Sequence, residues 1–218
     1  MSRYKAVVFD LDGTLVNSIH DLAASANHAL EQFGYPRHPA EDYRYFVGDG
    51  IPVMLGRASG HAKDKEVISR LLPVFMAHYR VHFADRTAAY PGMPETLAAL
   101  AAQGIGMAVV TNKAEEMARP VLETIYPGVF RFIYGQRPGY AVKPDPTLTR
   151  LAMQDLKAEP EECIFLGDSG VDMQTAVAAG AFPAGALWGF RTAEELRENG
   201  AKVLLSSPQK LLELTKPF

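Results

Sequence analysis

Residues 6–14 read Ala6-Val7-Val8-Phe9-Asp10-Leu11-Asp12-Gly13-Thr14, an apolar run that ends in two carboxylates and a turn. Four consecutive apolar residues, β-branched and aromatic, without polar alternation, predict a strand covered on both faces, as parallel sheets are. Asp12-Gly13 then supplies turn chemistry. The same grammar returns at Cys163-Ile164-Phe165-Leu166, followed by Gly167-Asp168-Ser169-Gly170-Val171-Asp172, and at Ile105–Val110, followed by Thr111-Asn112-Lys113. In a parallel α/β sheet the C-terminal ends of the strands face the ligand crevice, so all three polar clusters are expected at one sheet edge.

Working outward, helical patterns separate these strands. Apolar residues at Leu22, Ala26, Ala29, Leu30 and Phe33 define one helical face, ended by Gly34 and Pro36. Met93–Gln103, Ala114–Tyr126, Pro146–Lys157, Asp172–Ala179 and the tail Gln209–Thr215 also read as helical, with further strand signals at Phe132–Tyr134, Ala184–Trp188 and Val203–Leu205. Alternating strands and helices predict a doubly wound parallel α/β sheet. Residues 17–90 break the alternation with helical patterns and almost no strand signal, and Pro91-Gly92 closes them. The expected organisation is a core of residues 1–16 and 91–218 carrying a helical insertion, 17–90.

The chain has 218 residues, 48% hydrophobic and 22% charged, which excludes collagen, disulfide miniproteins and wholly disordered chains. Its net charge is −3; the insertion is neutral and the core carries the excess. That balance predicts no nucleic-acid or anionic-membrane partner. The apolar run stopped by Asp10 is too short for a signal peptide, and no stretch approaches a transmembrane length. Cys163, the single cysteine, lies in an apolar stretch and reads as a buried hydrophobe. A cytoplasmic protein is expected. All six histidines fall in the insertion, without a metal-binding helical spacing, and read as solvent-facing.

Two carboxylates about 5 Å apart at an effective dielectric near 20 repel by about 3 kcal/mol, so a pair such as Asp10 and Asp12 needs a cation or a shared proton. Either acidic cluster alone also suits a capped helix start. Two strand ends delivering carboxylates to one edge favour a site. Oxygen ligands without His or Cys select Mg²⁺ over Zn²⁺. Thr111, Asn112 and Lys113 add hydroxyl, amide and backbone donors, and Lys143, before the turn Pro144-Asp145-Pro146, adds compensating charge.

These motifs, in this order, resemble the haloacid dehalogenase superfamily: Asp10-x-Asp12-Gly13-Thr14, then Thr111-Asn112, then Lys143-Pro144, then Gly167-Asp168-x-x-x-Asp172. The resemblance implies a Rossmann-like core and makes the insertion an α-helical cap of the first type. It implies Asp10 as the nucleophile that forms an aspartyl-phosphate and Asp12 as the general acid/base. Mg²⁺ would be held by the Asp10 carboxylate, the Asp12 carbonyl and Asp168, with Asp172 in support. Gly13, Thr111 and the Asn112 amide would meet the phosphate, and Lys143 would neutralise nucleophile and phosphate together.

Arg44-Tyr45-Phe46-Val47-Gly48-Asp49-Gly50, with Thr111-Asn112-Lys113, resembles the phosphoglycolate phosphatase group more narrowly. That resemblance implies conversion of 2-phosphoglycolate to glycolate and phosphate, with Arg44 the cap residue for the substrate carboxylate. Pyrophosphatases, sugar phosphatases and β-phosphoglucomutases share core and cap and stay open. A phosphonatase would want a cap lysine, which residues 17–59 lack, and a true dehalogenase would not use Asp12. From a different class, a phospho-receiver domain combines similar residues, but no large insertion covers its crevice. The expected partner is a small phosphorylated metabolite, and the protein a monomer or homodimer.

Overall fold

The strands form where sequence permits burial on two sides. In the computed structural model, which describes residues 4–216, β1 (Ala6–Phe9) is fully buried along its length. Two short strands follow the chain out of and back into the core, β2 (Val16–Asn17) and β3 (Ala88–Ala89). The main sheet adds β4 (Gly106–Ala114), β5 (Phe132–Gln136), β6 (Cys163–Gly167), β7 (Phe182–Ala186) and β8 (Val203–Leu205) in the order β5-β4-β1-β6-β7-β8. Every pairing in this sheet is parallel. The fold is a Rossmann-like α/β sheet with β1 central.

Alternate residues serve opposite faces. Ala6, Val8, Ala108, Val110, Cys163 and Phe165 pack on one side against Leu148, Ala152 and Met153 of α7 (Thr147–Asp155) and Ala176 and Ala179 of α8 (Gly170–Ala179). Phe9 points to the other side and meets the Phe130 ring edge-on. Phe9 and Phe165, fully buried, each contribute about 1.5–3 kcal/mol. The remaining core helices are α5 (Met93–Ala102), α6 (Glu115–Ile125), α9 (Ala193–Glu198) and α10 (Leu211–Leu214).

Three differences from the sequence reading bear on the site. β4 runs on through Thr111, Asn112 and Lys113 to Ala114, because Ala114 still pairs with Gln136 across an irregularity after Val110. Polar side chains there conceal a strand whose backbone bonding continues. α8 starts at Gly170 rather than Asp172, since Ser169 caps it. β7 begins at Phe182 and ends before Trp188, whose indole turns to another use below.

Backbone contacts divide the chain into two compact units, Met1–Val16 with Ala89–Phe218, and Asn17–Ala88. The second is helical: α1 (Ile19–Gln32), α2 (Tyr43–Phe46), α3 (Ile51–Ala58) and α4 (Lys65–His82). Inside it, buried Asn27 accepts from the Tyr43 hydroxyl and bonds the His38 backbone, while Asp21 accepts from the backbone of Arg86 and Thr87. Arg57 donates to Asp49 at 2.6 Å and to the Phe46 carbonyl at 3.1 Å, tying both ends of the segment that holds Gly48. His28, His78 and His82 line up with ring centroids 4.4 and 4.3 Å apart, His28 exposed and the other two partly exposed. No helix among the described residues is long and apolar enough to cross a membrane.

Candidate active site

The C-terminal ends of β1, β4 and β6 deliver the predicted residues to one place. Asp10 N–H donates to Leu166 O at 2.9 Å, so the chain leaving β1 stays in register beside β6. The next turn folds back on itself: Leu15 and Val16 N–H both reach the Leu11 carbonyl, and Gly13 N–H reaches Val16 O. Gly13 has φ +92, the left-handed region, and a Cβ there would stand 2.4 Å from Asp168 Oδ2. Both facts exclude a side chain. The turn is built tight so that Asp168 can sit against it.

Asp168 is fixed on two sides. Thr14 Oγ1 donates to Oδ1 at 2.9 Å, and Phe190 N–H to Oδ2 at 2.8 Å. Gly189 permits the second approach, since a Cβ on it would lie 2.2 Å from the Asp168 Cβ. Trp188 Nε1 donates to the Thr14 carbonyl at 3.0 Å and holds the turn from outside. Asp172 belongs to the first turn of α8: Ser169 N–H and Oγ donate to its Oδ2 at 3.0 and 2.6 Å, closing a capping box. Its Oδ1 accepts from Lys143 Nζ at 2.6 Å.

Lys143 Nζ also stands 2.8 Å from Asp10 Oδ1, yet off hydrogen-bond direction, so that buried oxygen lacks a hydrogen-bond partner. Asn112 positions the lysine: its carboxamide accepts from Lys143 N–H at 2.8 Å and donates to Lys143 O at 3.3 Å. The Asn112 carboxamide is thus engaged with the Lys143 backbone. Thr111 Oγ1 accepts from Lys113 N–H at 3.2 Å, and the hydroxyl is nearly buried. Asp12 is paired with Lys113, whose Nζ lies 3.1 Å from each carboxylate oxygen. Arg44 is exposed on α2, in the helical unit.

The electrostatics mark a cation site. One carboxylate oxygen from each of Asp10, Asp168 and Asp172, all buried, lies within 4.8 Å of the others. Burial first, and then the Asp172 charge, push Asp10 up to about 7 against partial relief from Lys143. Burial, then Asp172 and Asp10, push Asp168 up to about 8. Burial alone would lower Lys143, but Asp10 and Asp172 outweigh it and hold its ammonium above the ordinary range. One lysine cannot balance three ionised carboxylates. An all-oxygen set of buried carboxylates, one oxygen of which is ion-paired but makes no hydrogen bond, fits a hard divalent cation.

Sequence reasoning missed the Trp188-Gly189-Phe190 turn, which braces Asp168, and gave no part to Thr14, Ser169 or the Lys113 ammonium. The cue was a glycine between aromatics just past a strand, legible only once Asp168 is known to lie beneath it.

The chain belongs to the haloacid dehalogenase-like hydrolase family, which it matches over residues 7–186. Among its relatives, the phosphoglycolate phosphatase of Chromobacterium violaceum is 36% identical over 223 residues, covering 99% of this chain and 98% of the relative. The phosphoglycolate phosphatase of Pseudomonas putida is 35% identical over 214 residues, covering 95% of this chain and 78% of the relative. A crystal structure from Lactobacillus delbrueckii superposes with a TM-score of 0.92 at 30% identity, covering 99% of this chain and all of that one.

Proposed function

We propose that this chain is a Mg²⁺-dependent phosphatase that hydrolyses 2-phosphoglycolate through an aspartyl-phosphate on Asp10. The observation that carries the reading is the pairing of Asp10 with Lys143 at 2.8 Å inside a buried three-carboxylate cluster. The relatives' names supply the substrate.

Asp10 attacks phosphorus with a carboxylate oxygen, and the bond from phosphorus to the leaving oxygen breaks. Asp12, which takes up a proton from solvent as the substrate binds, gives it to the leaving alkoxide. Asp12 then takes a proton from water, the water oxygen attacks phosphorus, and the Asp10–phosphorus bond breaks to restore the carboxylate. Lys143 shields Asp10 from the phosphate it attacks, and Asn112 serves the phosphate by orienting Lys143. Thr111 donates its hydroxyl proton to a phosphate oxygen, and the tight Gly13 turn brings backbone close to it. Asp10, Asp168 and the Asp12 carbonyl would hold Mg²⁺, with Asp172 in support through Lys143. Bound there, the cation supplies positive charge that draws Asp10 down into its ionised form and screens nucleophile from substrate. Arg44 would be the cation for the substrate carboxylate. Cys163 takes no part: it is buried, and burial pushes its thiol up to about 12.

A phosphate-release assay over small phosphate esters tests this. Release requires Mg²⁺, is fastest on 2-phosphoglycolate, and is abolished by Asp10→Asn. In Arg44→Ala, the loss falls on 2-phosphoglycolate and spares esters without a carboxylate. Full activity in excess chelator or in Asp10→Asn refutes the mechanism. A tenfold preference for a sugar phosphate or pyrophosphate refutes the substrate alone.

A further inference from the structure

We propose that Lys113 reads the substrate's carboxylate from the leaving-group side of the site, an inference that rests on the 2-phosphoglycolate reading above. Lys113 ends the polar stretch of β4, and its Nζ meets both Asp12 oxygens at 3.1 Å. The Lys113 side chain is 2% exposed and that of Asp12 13%. Burying an ammonium is costly unless it is well compensated, so the placement calls for a use. The nucleophile has no need of it, because Lys143 already serves Asp10 and Asp172.

The position of Asp12 says what Lys113 can reach. To hand over its proton, an Asp12 oxygen comes within about 2.6–3.2 Å of the leaving oxygen. In 2-phosphoglycolate a single methylene separates that oxygen from the carboxylate carbon. A cation that touches both Asp12 oxygens is therefore within reach of the substrate carboxylate. Lys143, on Asp10, stands on the phosphorus side.

An ammonium has three donors. Lys113 turns one to the substrate carboxylate and keeps another on Asp12, loosening its hold from two oxygens to one. The second Asp12 oxygen, freed from the ammonium, takes up a proton from solvent and turns it to the leaving oxygen. An ester without a carboxylate triggers no such exchange, so recognition of the two-carbon acid is linked to release of the general acid.

The test compares kcat/KM on 2-phosphoglycolate with that on ethyl phosphate, which replaces the carboxylate by a methyl. Wild type, Lys113→Met and Lys113→Gln are assayed with Mg²⁺. The preference for 2-phosphoglycolate is expected to fall about 10- to 100-fold in both variants, the worth of a charge-assisted hydrogen bond. Gln keeps an amide donor for Asp12 while removing the charge, so it decides the matter if Met does not fold. An unchanged preference, with both esters slowed alike, means that Lys113 only braces Asp12. That result overturns the proposal and leaves the substrate assignment standing. A wild type that does not prefer 2-phosphoglycolate overturns both.

Discussion

Asp12 leans on Lys113, and Asp10 on Lys143, so the two aspartates of the first motif respond differently to the same substitution. Asp12→Asn removes the acid/base and is expected to lower turnover by about 10²–10⁴-fold. It also withdraws a negative charge from an ammonium only 2% exposed. Breaking a fully buried pair costs about 3–5 kcal/mol. The Asn oxygen still accepts a hydrogen bond and Asp12 reaches solvent, so the expected cost lies below that range. Adding Lys113→Met should then recover stability that Asp12→Asn loses, because the stranded charge goes with it. Chemical denaturation of the two single variants and the double variant measures this. A double variant less stable than Asp12→Asn would mean that Lys113 stabilises the fold by its packing, not by its charge.

Strand ends and one helix cap turn these residues into a site. Asp172 is both the N3 residue that closes the α8 capping box and the carboxylate on Lys143, so helix formation and site formation share one side chain. Ser169→Ala removes one of the two donors to Asp172 Oδ2, the hydroxyl, and the acceptor for Asp172 N–H, while the backbone N–H donor stays. An N-cap loss costs about 0.5–2 kcal/mol, or a few degrees of Tm in a chain this size. Activity should fall with it as Asp172, and with it Lys143, is held by one hydrogen bond fewer. Calorimetry paired with phosphate release checks the link; a lower Tm with unchanged rate would separate cap from site. Sequence made these residues legible because Asp10 and Asp168 directly follow apolar strands, Asp172 stands one helical turn beyond Asp168, and Lys143 sits at a proline turn. It could not show that Asn112 serves Lys143, or that Gly189 admits the Phe190 N–H to Asp168. Those partners come from distant segments that no local pattern joins.

The parallel sheet was legible for a physical reason: strands buried on both faces are apolar throughout, and glycine or proline marks their ends. The helical unit was less so. The long helix α4 carries Pro73 and a polar face, which obscure its period, and the histidine row needs α1 and α4 packed together before it exists. The greatest conflict in the fold is electrostatic, and it sets a pH dependence for the molecule. Asp10 at about 7 and Asp168 at about 8 both lie above the ordinary 3.8. Between about pH 4 and 8 the metal-free native state therefore binds more protons than the unfolded chain, and its stability falls as pH rises. Their contribution is full below the unfolded value and is lost as pH passes through 7–8. Lys143 does not offset this trend, because its raised value leaves it charged throughout that window. A divalent cation reverses the penalty by pairing with the ionised carboxylates, and it binds in competition with protons. The rise in Tm on adding saturating Mg²⁺ should therefore be small at pH 5 and large at pH 8. Groups remote from the cluster titrate alike with and without the ion, so they cancel in that difference. Equal rises at the two pH values would show that the cluster is ionised without the metal, and that something other than the cation relieves its repulsion.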